Sequence, residues 1–255
     1  MLDLARGAVL NVRHLRWTAV TALPRSALLA CWFSAWTRGS CSLDDARDAV
    51  VTGDAAHDVL GLDVQPVPLV IALGRLRALG AGRATLALPV PGDPVGLAGP
   101  PAFNEIALDA GEAVLLPGAG LGLVPTVVGA GVTWAVEPAT AVRTVPDVAE
   151  ADQSLRELLL ESSARLADLD VAHWRPEATA GLQALRAVAD APPLPGLPPR
   201  TQRLAVLAVR CAEIAELGLE DDGGAISAFE AAERRDALLR LARGARHALV
   251  AACSG

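Results

Sequence analysis

The stretch 112-EAVLLPGAGLGLVPTVVGAGVTWAV-136 decides the fold class, because it holds three short apolar runs separated by glycine and proline. Short runs rich in β-branched residues and bounded by turn residues are typical of strands, and short spacers favour hairpins. We predict strands at Glu112–Leu116, Leu123–Val128 and Val132–Val136. Pro125 has no N–H to donate to a neighbouring strand, so its strand should lie at an edge or carry a bulge.

A fourth apolar run lies upstream of these three. Ala84–Leu88 has the sequence ATLAL, and it is followed by a proline- and glycine-rich loop, 89–101, and then by a helical segment, Ala102–Asp109. A strand, a long loop, a helix and a second strand followed by hairpins indicate a small mixed sheet.

The first third of the chain has helical periodicity. Leu28, Trp32 and Trp36 recur every fourth residue after Pro24, which places bulky apolar side chains on one helix face. A leucine-rich segment over residues 69–79 predicts a further helix, because its leucines also recur at helical spacing.

The last third of the chain is helical again. Asp147 with Glu150, and Ser227 with Glu230, have the spacing of a capping box, which marks a helix start. Apolar residues at helical spacing follow both pairs, and the same spacing predicts helices at 177–188 and after a proline-rich connector. The residues predicted to face inward are Leu155, Leu158, Leu159, Leu166, Leu169, Leu182, Leu185, Val188, Leu204, Leu207, Cys211, Ile214, Leu217, Phe229, Leu238, Leu241, Ala245 and Leu249.

These patterns predict an α+β fold with a helical N-terminal segment, a small mixed β-sheet in the middle and a four-helix C-terminal half. We expect an α+β domain over residues 1–146, with its helices in 1–80 and its sheet in 82–138. Residues 147–255 should form a helical bundle packed on that domain.

The chain contains no lysine and no tyrosine, so all 22 basic residues are arginines. Such a composition is typical of a GC-rich bacterial genome. It excludes chemistry that needs a lysine amine, which includes P-loop nucleotide binding, pyridoxal phosphate Schiff bases and kinase-type phosphoryl transfer. Reductases that use a tyrosine and a lysine as their acid and base are excluded in the same way.

Charge and hydropathy argue against nucleic-acid and membrane partners. The net charge is −7, and basic residues predominate only in the first 25 residues, whereas nucleic-acid binders usually carry a basic face over a whole domain. The richest early apolar run, 27–36, is far shorter than the roughly 20 residues of a membrane span. Four cysteines without a convincing export signal predict reduced thiols and a cytoplasmic protein.

Several motif-like features lack the context of a functional site. Gly118, Gly120 and Gly122 are followed by another strand-like run, whereas a dinucleotide fingerprint must open a helix, so a hairpin turn is favoured. The four histidines have no His, Cys or carboxylate partner at metal-ligand spacing, and Cys211 falls on an apolar helix face. We therefore predict no metal site and no cofactor.

The loop 89–101 is the strongest candidate for a ligand site, because long irregular connections inside compact domains are usually functional or disordered. It carries Asp93 and leads to Asn104 and Glu105 in the first turn of the next helix, where free backbone N–H groups suit an anion or a polar ligand. The alternative is that Asp93 builds a turn and Asn104 caps the helix.

A second ligand contact is predicted at His173 and Arg175, which flank Trp174 between two predicted helices. An arginine stacked on the indole there would form a packed corner or bind a ligand. From these features we predict a non-catalytic cytoplasmic module that binds a protein partner or a small polar ligand.

The aromatic face of the first helix, formed by Trp32, Phe33 and Trp36, is then either core or part of a homodimer or protein-partner surface.

The alternative function is that of a hydrolase or lyase working around loop 89–105. In that alternative Asp93 is the acid or base, Asn104 donates to an oxyanion, and His57 or His173 carries the proton.

Overall fold

The computed structural model describes residues 23–141, 145–168, 193–220 and 227–255. Within these ranges the chain forms seven helices and six strands. The helices are α1 (Arg25–Thr37), α2 (Leu43–Val51), α3 (Leu69–Ala78), α4 (Pro101–Ala110), α5 (Val148–Asp168), α6 (Pro199–Leu219) and α7 (Ala228–Cys253). The strands are β1 (His57–Leu60), β2 (Val67–Pro68), β3 (Thr85–Ala87), β4 (Ala113–Leu116), β5 (Leu121–Val128) and β6 (Gly131–Pro138).

The strands form one mixed sheet in the order β2-β1-β6-β5-β4-β3. β1 pairs in parallel with β6, and the other neighbours are antiparallel. β5 pairs with β6 from Leu121 to Val128, but its pairing with β4 ends at Leu123. Pro125 therefore lies beyond the end of the β4 pairing, in the part of β5 that tolerates a residue without an N–H.

The predicted α+β class is confirmed, and the four predicted apolar runs correspond to β3, β4, β5 and β6. The expectation that residues 1–80 are helical is incomplete, because β1 and β2 lie there. β1 has the sequence HDVL and alternates buried and exposed residues over four positions. A strand this short, with two polar residues, leaves too little periodicity to recognise.

The two faces of the sheet pack against different elements. One face joins the main core, where Trp134 of β6 and Phe33 of α1 are fully buried. On the opposite face, Phe103 and Ala107 of α4 pack with Leu115 of β4 in a smaller cluster. The sheet is thus covered on both sides over its β3–β5 half.

The aromatic face of α1 is divided between core and surface. Phe33 is 1% exposed, whereas Trp32 and Trp36 are half-buried. The guanidinium of Arg77 lies 5.0 Å from the centre of the Trp36 ring, a cation–π arrangement that covers part of the indole. A homodimer through the remaining surface stays a prediction.

The C-terminal helices pack on one another and on the sheet. Ser162 of α5 donates a hydrogen bond to the Ala237 carbonyl of α7 at 3.3 Å, and Gly218 of α6 lies against Leu238 of α7. All three helices contribute to the main core cluster. The predicted helix at 177–188 lies outside the described residues, and the division at residue 146 stays a prediction. None of the described helices is both long and apolar enough to cross a membrane.

The predicted inward faces of these helices are only partly right. Leu155, Leu204 and Leu241 are buried, and Leu158 is half-buried. Phe229, which we expected to face inward, is 68% exposed. It lies in the first turn of α7.

The outer edge of β3 is closed from two directions. The backbone N–H of Leu86 donates to Ser254 Oγ at 2.9 Å, although the two residues are 168 positions apart. The loop after β3 also folds back on the strand, since Leu88 N–H donates to the Val95 carbonyl at 3.2 Å and Gly96, with φ +87°, packs directly on the β3 backbone. A side chain at Gly96 would collide with that backbone, so glycine is required there.

Leu155 and Leu160 of α5 allow a matched test of this packing. Leu155 is 1% exposed and Leu160 is 71% exposed. We expect Leu155→Ala to lower the free energy of unfolding by about 2–5 kcal/mol, because it leaves a cavity in the core. Leu160→Ala should change it by less than about 0.5 kcal/mol. Urea unfolding followed by circular dichroism measures both, and equal effects would mean that the register of α5 is wrong.

Candidate functional site

Asp93, singled out in the sequence, lies in a turn whose ends are joined by reciprocal backbone hydrogen bonds with Val90 of 3.0 and 2.9 Å. Its side chain is 9% exposed and points at α7. His247 Nε2 lies 2.9 Å from Asp93 Oδ1 and 3.2 Å from Oδ2, and Arg246 donates from Nη2 to Oδ2 at 3.2 Å. Arg243 Nε lies 3.6 Å from the same oxygen. The loop carboxylate thus meets three basic side chains of one helix.

The three partners come from consecutive turns of α7. Residues three and four apart on a helix share a face, so Arg243, Arg246 and His247 project from the same side. The helix begins at a capping box between Ser227 and Glu230, as predicted. Because α7 ends against β3, its last turns lie beside the loop that follows β3.

These contacts set the ionisation of Asp93. Burial raises the pKa of its carboxyl, but the hydrogen bond and the charge of His247, together with Arg246, outweigh burial and bring the pKa below its ordinary value. Asp93 is therefore an anion at neutral pH.

A groove between α5 and α7 opens next to this cluster, with a volume of about 380 Å³. Its polar lining residues are Glu150, Ser154, Arg240, Arg243 and His247. Its apolar lining residues are Pro146, Ala151, Leu158, Gly244 and Ala248. Gly244 lets the two helices approach, because a Cβ at this position would meet the end of the Leu158 side chain. Arg243 and His247 thus belong both to the groove and to the Asp93 cluster.

Two glutamates of α6, Glu213 and Glu216, have a raised pKa, and the charge of Arg246 acts on Glu216. Burial, with the charges of Glu213 and Glu220, raises the pKa of Glu216 to about 7, while the charge of Arg246 acts in the opposite direction. Burial also raises the pKa of Glu213. Arg246 therefore lies in the field of carboxylates from two different elements.

The other predicted ligand residues do not join Asp93. Asn104 Oδ1 accepts a hydrogen bond from the Gly99 N–H at 3.0 Å, so this side chain closes the loop in front of α4. Glu105 is exposed on α4. His173 and Arg175 lie outside the described residues.

His57 lies in a separate, largely buried chain of polar side chains. Trp134 Nε1 donates to His57 Nδ1 at 3.2 Å, which places the ring proton on Nε2, 2.9 Å from Asp54 Oδ2. Arg25 binds both oxygens of Asp54, at 2.8 and 2.7 Å. The His57 side chain is 0% exposed, and burial lowers its pKa. This histidine satisfies a buried indole N–H, and it is not within the loop 89–105 site that the sequence suggested.

A further carboxylate belongs to Glu112, which precedes β4 and is buried against the first turn of α1. Its Oε2 accepts the Ser26 N–H at 2.8 Å, and burial raises its pKa. The described residues contain no group of three or more His, Cys, Asp or Glu placed to hold a metal ion.

Two domain families match the chain. The N-terminal domain of Rv1486c-like proteins matches residues 26–152, and their C-terminal domain matches residues 149–250. The two matches follow one another along most of the chain. The chain belongs to the Rv1486c-like family.

Two relatives come from Mycobacterium tuberculosis. They are the uncharacterized protein Rv1486c of strain H37Rv and the uncharacterized protein MT1533 of strain CDC 1551, each 37% identical over 123 residues. The alignment covers 39% of this chain and 43% of each relative, so the match spans less than half the length of those proteins. No solved structure matches this Rv1486c-like chain.

Sequence reasoning on this Rv1486c-like protein missed Arg243, Arg246 and His247 as partners of Asp93. His247 lies 154 residues away along the chain, so local spacing holds no trace of the pair. A detectable signal was the helical spacing of Arg240, Arg243 and His247, which places three basic side chains on one face.

The Asp93 ion pairs predict a pH-dependent stability. The pKa of Asp93 is lower in the folded chain than in the unfolded chain. The ionised carboxylate therefore stabilises the fold fully above the ordinary pKa of 3.8, and this stabilisation is lost as the pH falls through the pKa of the folded chain. We expect Asp93→Asn to lower the free energy of unfolding by about 1–3 kcal/mol at neutral pH, and the difference from wild type to shrink below about pH 4.

Urea unfolding at a series of pH values measures this difference. Asp109→Asn, at an exposed position of α4, is the matched control and should stay within about 0.5 kcal/mol of wild type. A wild-type-like stability of the Asp93 variant at neutral pH would show that the ion pairs contribute nothing.

Proposed function

We propose that this protein is a non-catalytic cytoplasmic module that binds a small ligand with an anionic head and an apolar body in the groove between α5 and α7. The observation that carries the proposal is the row of Arg240, Arg243 and His247 along one face of α7, at the edge of an apolar groove.

The exposed arginine of this cluster favours an anion in the groove. Asp93 is shared by Arg243, Arg246 and His247, and the charge of Arg246 also acts on Glu216 of α6. Arg243 makes the longest of these contacts and its side chain is 62% exposed. Its guanidinium is therefore available to a carboxylate or phosphate group, which arginine binds through paired N–H donors.

The shape and lining of the groove favour an apolar body on the same ligand. Leu158, Ala151 and Ala248 supply apolar surface from both helices. The volume of about 380 Å³ lies in the range of small-molecule sites. Glu150 on the opposite side disfavours a ligand that carries a second negative charge there.

The proposal is tested with 8-anilinonaphthalene-1-sulfonate, a fluorescent aryl sulfonate with the expected anionic and apolar parts. We expect saturable binding at one site per chain, and a roughly tenfold weaker binding by Arg243→Gln, since a charge-assisted hydrogen bond contributes about 1.5–3 kcal/mol. Arg235→Gln removes an exposed arginine elsewhere on α7 and should bind the probe like wild type.

Competition identifies the ligand chemistry. Decanoate should displace the probe, whereas decanol, which has the same chain and no charge, should not. Equal binding by the Arg243 and Arg235 variants, or equal competition by decanol, would contradict an anion site in this groove.

A second candidate function, a hydrolase or lyase, is favoured by one observation. Asp93 and His247 are joined at 2.9 Å, the arrangement in which a carboxylate orients a histidine for proton transfer, and Ser154 lines the same groove as that histidine. In this alternative His247 takes the role that the sequence suggested for His57 or His173.

The two functions are distinguished by ester hydrolysis. If the protein only binds, wild type and His247→Gln release p-nitrophenol from p-nitrophenyl butyrate at the same slow rate. A wild-type rate at least about tenfold above that of the variant, the low end of general acid–base contributions, would favour the hydrolase.

A further inference from the structure

The polar chain around His57 ties three parts of the fold together. Arg25 of α1 binds both oxygens of Asp54, which precedes β1, and Asp54 Oδ2 lies 2.9 Å from His57 Nε2. On the other side of the ring, Trp134 Nε1 of β6 donates to His57 Nδ1 at 3.2 Å. The side chains of Arg25 and Asp54 are 18% and 11% exposed, whereas the His57 side chain and Trp134 are 0% exposed.

Both ring nitrogens of His57 have a fixed role in this chain. Nδ1 accepts from the indole, and Nε2 carries the proton that is donated to Asp54. A second proton on the ring would have to sit on Nδ1, where it would face the indole N–H. Two donors would then oppose each other, and the buried indole of Trp134 would lose its acceptor. The geometry therefore selects the neutral imidazole.

Three charged side chains act on the ring, and they do not all act in the same direction. Burial is the largest influence and lowers the pKa of His57 below the ordinary value of 6.5, while Asp54 raises it, Arg25 lowers it and Asp58 raises it. The unfolded chain thus takes up this proton at a higher pH than the folded chain. The neutral ring stabilises the fold fully above pH 6.5, and this stabilisation is lost as the pH falls below that value.

His57 lies where β1 joins the rest of the sheet. The N–H of Ala55 donates to the Ala130 carbonyl at 2.7 Å, and the N–H of Val132 donates to the Ala56 carbonyl at 2.9 Å. His57 itself is paired with Val132 in the parallel ladder. On its other side β1 meets β2, a strand of two residues at the edge of the sheet. β1 and β2 can therefore leave β6 without breaking the pairings among β3, β4, β5 and β6.

We propose that His57 is a proton-sensitive latch, and that its protonation releases β1 and β2 from β6. In the released form the imidazolium ring leaves the indole of Trp134 and reaches water. The edge of β6 is then open to solvent, so acidification converts an interior strand of the sheet into an edge strand. The inference stands on the His57 contacts and does not depend on what the groove binds.

The test is native-state hydrogen exchange followed by nuclear magnetic resonance at pH 7.5 and pH 5.5, with rates corrected for the intrinsic effect of pH. We expect the N–H groups of Ala55 and Val132 to exchange through an opening that is more frequent than global unfolding, as measured by urea at the same pH. Their protection should fall by up to about tenfold at pH 5.5, the most that one proton with an ordinary pKa of 6.5 produces there.

Two variants separate His57 from other titrating groups. In His57→Asn the side-chain oxygen replaces Nδ1 as the acceptor for Trp134 and does not titrate, so the protection of Val132 should no longer fall between the two pH values. His247→Gln removes the histidine of the Asp93 cluster and should keep the wild-type fall.

The proposal is overturned if Val132 in wild type exchanges only by global unfolding, or if its protection is the same at both pH values. An equal fall in His57→Asn and wild type would also overturn it. Should the Asn variant fail to fold, the two wild-type measurements still decide.

Discussion

The docking of the last turn of α7 against β3 is the contact on which the rest of the arrangement depends. β3 is an edge strand, and an unpaired edge exposes backbone groups that need partners. Ser254 supplies one such partner to Leu86. Because the loop after β3 folds back at the same edge, this contact also fixes which turns of α7 face the loop. The meeting of Asp93 with Arg246 and His247 follows from it.

The same pair of residue types serves two different purposes in this protein. His57 Nε2 lies 2.9 Å from Asp54 Oδ2, and His247 Nε2 lies 2.9 Å from Asp93 Oδ1. The side chain of His57 is 0% exposed and is held by an indole, whereas that of His247 is 41% exposed beside a groove. Solvent access, and not the hydrogen bond itself, separates a histidine that completes the core from one that can meet a ligand.

The sequence was informative where structure is local. Apolar runs between glycines and prolines located β3 to β6, and the Ser227 capping box located the start of α7. Phe229 was misplaced because periodicity shows which residues share a helix face but not which part of that face other elements cover. Asp93 could be singled out for its loop, but its partners come from a distant helix and leave no local pattern.

Closure of the β3 edge has a consequence for biosynthesis. The N–H of Leu86 emerges from the ribosome 168 residues before the serine that receives it. At translation rates of roughly 5–20 residues per second, the nascent strand waits on the order of ten to thirty seconds with that edge open. Over that interval the Leu86 N–H lacks its partner from α7, and unpaired strand edges are prone to intermolecular pairing.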